Sequence, residues 1–284
     1  MTNIMSHNGF GASRTSKEAF FSYLKPDTCF TQADDKDRRT TTLTTSGVWL
    51  LASRINHSCV DNCCRSFIGD MMIIRATRDL PADTELRIAY HYPESLESYE
   101  ETQKRLTNWG FNCDCKLCIE KRKTSQEVLN KRRSLHKELE ASLHAPTNIP
   151  EAQSLLKRLE ENYPKPGPNS IRLELWDIYR YMGVYFVGLG KPVNSIKATV
   201  KGLEALGFSI TAYPVSGGLK KPQLEIEKWG LSSDCTVWAL ISLFRAYEKL
   251  APELCAVAKR YIHTAYMMAV GEGETMVEQF PKLA

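Results

Sequence analysis

The chain has no run of about 18 apolar residues, so no membrane-spanning helix is expected. It does not open on a basic segment followed by an apolar block, and its first residues, MTNIMSHNGFGASRTS, do not read as a secretory signal. An excess of charge of one sign is lacking too. There are 37 Lys and Arg against 33 Asp and Glu, a net +4 over 284 residues, too little by itself to point to nucleic acid. The nine cysteines are odd in number, which argues against a disulfide framework and for a reducing compartment. Core-building material is not short. Apolar residues make up 43% and charged residues 25%, the balance of a globular chain long enough for one large or two modest domains.

Six of the nine cysteines fall between residues 59 and 118, a clustering that suits metal or chemistry better than core filling. The same region reads as β-rich. Residues 71–76 form a strand entered from the turn Gly69-Asp70. Residues 86–90 alternate with period two behind Pro81-Ala82-Asp83 and read as a second. Residues 47–51 are a third candidate, or the start of a buried segment. Residues 12–46, polar and rich in Thr, Ser, Asp and Lys, read as a surface loop insertion.

After residue 120 the pattern turns helical. Leu155, Leu156 and Leu159 share a face behind Pro150, and Leu175, Trp176, Tyr179 and Met182 share another. Val193, Ile196, Val200 and Leu203 form a stripe that ends at Gly207, a C-terminal cap. Residues 237–250 and 254–270 complete a set of paired helices similar to tetratricopeptide-type hairpins, without a clean 34-residue repeat. Lys121-Arg122-Lys123 and Lys131-Arg132-Arg133 are expected on a solvated helix face.

Three constellations can carry chemistry. Cys113-Asp-Cys115-Lys-Leu-Cys118 sets three thiolates within reach of one soft cation, and a closed structural zinc site needs a fourth ligand. Spacing leaves Cys59, His57, Cys63, Cys64 and Cys29 open for that place. The second is Ser53-Arg-Ile-Asn56-His57-Ser-Cys59. Its Cys and His stand too close in sequence for a nucleophile–base pair, and alone it would be a hydrogen-bonded turn. The third is Asp83-Thr-Glu85-Leu-Arg-Ile-Ala-Tyr90-His-Tyr92, a strand ending in phenols.

In order and separation the three resemble the C-terminal half of a SET-domain protein lysine methyltransferase. That family pairs an Asn-His-Ser-Cys-x-Pro-Asn segment with a Gly-Glu-Glu-Leu-x-x-x-Tyr strand and a Cys-x-Cys-x-x-Cys tail. The layout is similar to the SET–MYND group and to fungal SET proteins with a helical C-terminal lobe. The resemblance implies an α+β chain. A partial, β-rich SET domain with a post-SET zinc site would occupy residues 1–118. An all-α lobe of helical hairpins would occupy residues 119–284. It implies S-adenosylmethionine as cofactor, contacted by Asn8, Ser53, Asn56, His57 and Phe111. Tyr90 would stand at the methyl-transfer channel, and Cys59 would join Cys113, Cys115 and Cys118 around a structural Zn2+. It also implies a protein substrate offering a lysine side chain, histone or non-histone. From the residues themselves, the helical stripes suit a protein partner on the lobe, no membrane and no direct nucleic-acid contact are expected, and the reducing setting is read as nuclear or cytoplasmic.

The sequence departs from the family's pattern at named positions. Asp61 replaces the proline, Asp83 the glycine and Thr84 the first glutamate, while Trp109 stands for a tyrosine of the lysine channel. Only seven residues precede Asn8, so the Gly-x-Gly strand that opens a SET domain is not in this sequence, and a domain without its N-terminal strands is expected. Two functions follow from that: a methyltransferase or a portion of one, or an inactive, zinc-stapled remnant that binds proteins through its helical lobe.

Overall fold

The computed structural model describes residues 10–12, 45–143, 149–164, 170–213, 221–231 and 235–283. Most of the expected insertion, like Asn8, lies outside them. Its ends do not behave as loop: β1 (Phe10–Ala12) pairs antiparallel with β2 (Thr45–Gly47). Residues 47–51 are a correction. Past β2 the chain leaves the sheet, and Leu50 and Leu51 are 80% and 82% exposed rather than buried. A single 3-10 turn, Ala52–Arg54, follows them.

The strand read at residues 71–76 is β5 (Met71–Ala76), paired antiparallel with β4 (Cys63–Ile68) through a turn at Gly69, where φ is +59°. Of residues 86–90 only Arg87–Ile88, β6, is strand. It pairs in parallel with β3 (Asn56–His57), with Asn56 opposite Arg87 and His57 opposite Ile88. A parallel pair needs a crossover, and here residues 58–86, including the β4–β5 hairpin, supply it. Asn62 extends the pairing. Its side chain accepts from Arg87 N at 2.7 Å and donates to the Glu85 carbonyl at 2.9 Å, as a strand backbone would. Asp83, in place of the family's glycine, sits at φ +61°, a left-handed conformation that glycine enters freely and that aspartate tolerates better than most residues.

Helices follow. Two short ones are α1 (Tyr99–Leu106), which precedes the Cys113 run, and α2 (Lys116–Lys123), which takes up its last cysteine. Ser98 and Glu101 form a full capping box at the start of α1. Then come α3 (Gln126–Leu143), α4 (Ile149–Glu160), α5 (Leu173–Gly188) and α6 (Pro192–Ala205), packed as consecutive neighbours α3 on α4 and α5 on α6. Leu155, Leu156, Leu159, Leu175, Trp176, Tyr179 and Met182 are all buried in one apolar core, as the helical stripes require. Gly207, at φ +83°, caps α6, and Phe208 N reaches back to the Leu203 carbonyl at 3.1 Å.

The C-terminal lobe is not all-α. A β-hairpin, β7 (Ser209–Tyr213) with β8 (Gln223–Lys228), stands between α6 and α7 (Thr236–Leu250). Its cause is a period-two pattern that buries Leu224 and Ile226 on one side of β8 and leaves Gln223, Glu225 and Glu227 in solvent. The basic segments need correcting as well. They lie on two helices, α2 and α3. Arg132 is buried, its guanidinium 3.7 Å from the centre of the Tyr163 ring, because its position on α3 faces the core.

The β4–β5 hairpin docks on the C-terminal end of α8 (Cys255–Val270). Arg75 donates to the Met267 and Gly271 carbonyls at 3.2 and 2.5 Å, and Cys64 to that of Met268 at 3.4 Å. Helix-terminal carbonyls lack intrahelical partners, and a cation there also meets the negative end of the helix dipole. Among the described residues no helix is long and apolar enough to cross a membrane.

Candidate functional site: a four-sulfur cluster beside an aromatic wall

The β3–β6 pairing brings distant residues together. Cys59, two residues past β3, comes up against Cys113, Cys115 and Cys118, so that the four Sγ atoms all lie within 4.8 Å of one another and all four residues are buried. Two of the edges measure 3.6 Å (Cys59–Cys118) and 3.9 Å (Cys59–Cys113). These are not disulfides, which would need about 2.05 Å. A regular tetrahedron of sulfurs about 2.3 Å from a central zinc has edges of about 3.8 Å, so the cluster fits that ion. Locally, Cys113 and Cys115 precede α2 and Cys118 stands in its first turn, at the positive end of the helix dipole. Hydrogen bonding with Cys113 above all drives the Cys59 and Cys118 thiols up. The thiols of Cys115, Cys118 and Cys59 hold Cys113 far below the ordinary range. A divalent cation among them would favour the thiolate at every position.

Gln103 on α1 braces the cluster, and nothing in its sequence setting announced it. Its Oε1 accepts from Cys113 N at 2.7 Å, while Nε2 donates to the Cys113 carbonyl at 3.3 Å and to Cys118 Sγ at 3.7 Å.

Beside the sulfurs lies a wall of rings. Tyr90 packs on His57 (5.3 Å between centroids), Trp109 (5.4 Å) and Phe111 (6.2 Å), and His57 also packs on Phe111 (5.8 Å). Tyr90, Trp109 and Phe111 are half-buried, whereas His57 is buried. The Tyr90 hydroxyl donates to the Ile55 carbonyl at 2.8 Å, and burial pushes its acidity down, its pKa up. Of the remaining residues expected here, Asn56 is exposed and donates to Glu85 at 2.8 Å. The Ser53 hydroxyl donates to the Trp49 carbonyl at 2.9 Å, within its own turn, and Ser53 makes no contact with the rings among those described. Asn8 lies outside the described residues.

Asp61, in the family's proline position, is 2% exposed, and its Oδ1 has no hydrogen-bond partner among the described residues. Burial pushes its pKa up from 3.8 to about 7, against the pull of Arg78 and Arg65. The folded state then binds a proton that the unfolded state has released, so this group's contribution to stability is full below about pH 4 and is lost as pH rises through about 7. The loss is on the order of 4 kcal/mol at most. Asp61→Asn is expected to flatten the fall between about pH 4 and 7, most readily followed over about pH 5.5–7. Urea denaturation of both proteins at each pH measures this, and parallel curves would contradict it.

Residues 6–91 match the SET domain family. A protein of Gibberella zeae named "Methyltransferase" is 46% identical over 277 residues, which is 97% of this chain and 38% of that protein. Histone-lysine N-methyltransferase SMYD3 of Homo sapiens is 35% identical over 98 residues, 34% of this chain and 22% of its own length. Histone-lysine N-methyltransferase set5 of Schizosaccharomyces pombe is 36% identical over 84 residues, 28% and 26% of the two chains. The chain thus spans less than two fifths of the length of each of these relatives.

Proposed function

We propose that this chain, whose residues 6–91 match the SET domain family and which is 46% identical to a protein named "Methyltransferase", acts as a SET-domain lysine methyltransferase: it transfers a methyl group from S-adenosylmethionine to a protein lysine, its pocket stapled by zinc on Cys59, Cys113, Cys115 and Cys118. The domain division follows the same reading: residues 1–118 carry the SET and post-SET parts and residues 119–284 a second domain. The observation that carries it is the parallel β3–β6 pair, which sets the sulfur cluster and the ring wall side by side. Relatives named histone-lysine N-methyltransferase support a lysine-bearing protein as substrate and a nuclear or cytoplasmic setting.

The cofactor, when bound, supplies an electrophilic sulfonium methyl. The protein's task is then to hold an amine in line and to keep it neutral, since an ammonium has no lone pair and the ordinary lysine pKa is about 10.4. Tyr90, Trp109 and Phe111 offer an apolar wall that disfavours the charged amine and excludes water. The Tyr90 hydroxyl, its proton given to the Ile55 carbonyl, remains an acceptor for an amine N–H. Asn56, His57 and Phe111 form the candidate cofactor edge. Zinc is structural here, because four thiolates leave no open coordination position.

Incubation of the chain with labelled S-adenosylmethionine and histones tests the proposal. Tyr90→Phe is expected to lower methyl incorporation about a hundredfold, while the lost hydrogen bond costs only about 1 kcal/mol of stability. Full activity in that variant would remove Tyr90 from the mechanism. If the unmodified chain showed no cofactor binding and no methyl incorporation, the proposal would fail for it.

A further inference from the structure

Both ring nitrogens of His57 are committed. The backbone N–H of Tyr90 donates to Nδ1 at 3.0 Å, and Nε2 lies 3.3 Å from the Sγ of Cys59. A nitrogen that accepts an N–H carries no proton of its own, so a neutral ring must hold its proton on Nε2. That proton faces the sulfur. The ring is 6% exposed, so little water competes for either contact, and the Tyr90 and Phe111 rings restrict its rotation from two sides.

We infer that His57 is a positioning residue of the metal centre, donating Nε2–H to the Cys59 thiolate while its Nδ1 fixes the backbone of Tyr90. Four thiolates around a dication carry a net charge of −2, and a buried excess charge needs donors. An N–H···S bond takes up part of it and holds the ligand in orientation, as second-layer partners of metal sites do. Gln103, from the other side, does the same for Cys118. The imidazole therefore joins the zinc staple to the strand bearing Tyr90 in one hydrogen-bonded unit. This rests on the zinc and methyl-transfer reading above. It goes further in assigning the ring itself to the metal rather than to the cofactor, which leaves only the backbone and the ring face of His57 for cofactor contact.

The test uses the whole chain with its zinc exchanged for cadmium-113 or cobalt(II). In the unmodified protein, NMR is expected to find the proton on Nε2 and a scalar coupling from it to cadmium through the hydrogen bond and sulfur. In His57→Phe the thiolate-to-cobalt charge-transfer band should move to lower energy, because the sulfur loses its donor. Zinc release to a chelator should then quicken about tenfold to a hundredfold. His57→Gln, which keeps an amide donor and an acceptor, should recover part of both changes. A proton found on Nδ1, no coupling to cadmium, or an unshifted cobalt band in a folded His57→Phe protein would overturn the inference. The wild-type NMR decides it even if that variant does not fold. Failure to take up cobalt or cadmium would overturn the zinc reading together with it. Absence of methyl transfer alone would sink the proposed activity and leave these metal signatures in place.

Discussion

Cys118→Ser is expected to strip zinc from the protein and to unfasten α2 from Cys59. Cys118 is fully buried, 3.6 Å from Cys59 Sγ, and packs with Leu106 and Leu117 in the small core around the cluster. Structural zinc in isolated fingers contributes on the order of 10 kcal/mol of apparent binding free energy. Here the larger helical core remains when the metal goes, so the loss falls on residues 107–123. Trp109 and Phe111 stand in that stretch, and the ring wall against Tyr90 and His57 should disperse with it. The expected result is metal content falling from one zinc per chain to near zero and a chelator-like loss of more than about 3 kcal/mol in stability, with methyl transfer abolished. Elemental analysis and denaturation measure the first two. A variant that retains its metal, or melts within about 2 °C of the parent, would contradict the tetrahedral assignment.

Glu97→Ala is expected to cost about 3–5 kcal/mol. Glu97 is 7% exposed and faces two cations, Arg105 Nε at 2.8 Å and Lys121 Nζ at 2.9 Å, with the Thr102 hydroxyl donating to it at 2.9 Å. Arg105 can turn to water, being about one-third exposed, but the Lys121 side chain is only 11% exposed. Removing the carboxylate strands that ammonium. The network ties residues 94–97 to α1 and to α2, and so holds the frame on which Gln103 and Cys118 sit. Replacing both partners, Glu97→Leu with Lys121→Met, should recover most of the loss, since two apolar groups leave no buried charge behind. Chemical denaturation of the two single variants and the double variant measures the coupling. A double variant no better than Glu97→Ala would show that packing, not charge, carries the effect.

What was legible in the sequence was local. Met71–Ala76 reads as a strand and is one, because its composition and its turn at Gly69 act over a few residues. The leucines of α4 and the cap at Gly207 follow from 3.6-residue periodicity and from glycine's access to positive φ. The Cys-x-Cys-x-x-Cys run announced a soft cation by its own spacing. The β7–β8 hairpin was missed. Its strands lie in a stretch otherwise bounded by helical stripes, and its alternation spans only a few residues. Leu50 and Leu51 were misjudged because apolar composition does not say whether a neighbour exists to cover them. Arg132 was misjudged because a charged residue can be buried on a ring face.

By itself the sequence determined the kind of chemistry: three thiolates in one turn, a His and an Asn ahead of a fourth cysteine, and a strand ending in a phenol. Only the tertiary structure set Cys59, as the resemblance implied, within 4.8 Å of the other three sulfurs, brought both nitrogens of His57 to partners, and showed that Gln103 and Glu97 brace the result. The reason is physical. Periodicity and spacing report what a residue's neighbours along the chain demand. The parallel pairing of Asn56–His57 with Arg87–Ile88 is a contact across 31 residues, set by the sum of many weak interactions that no short segment carries.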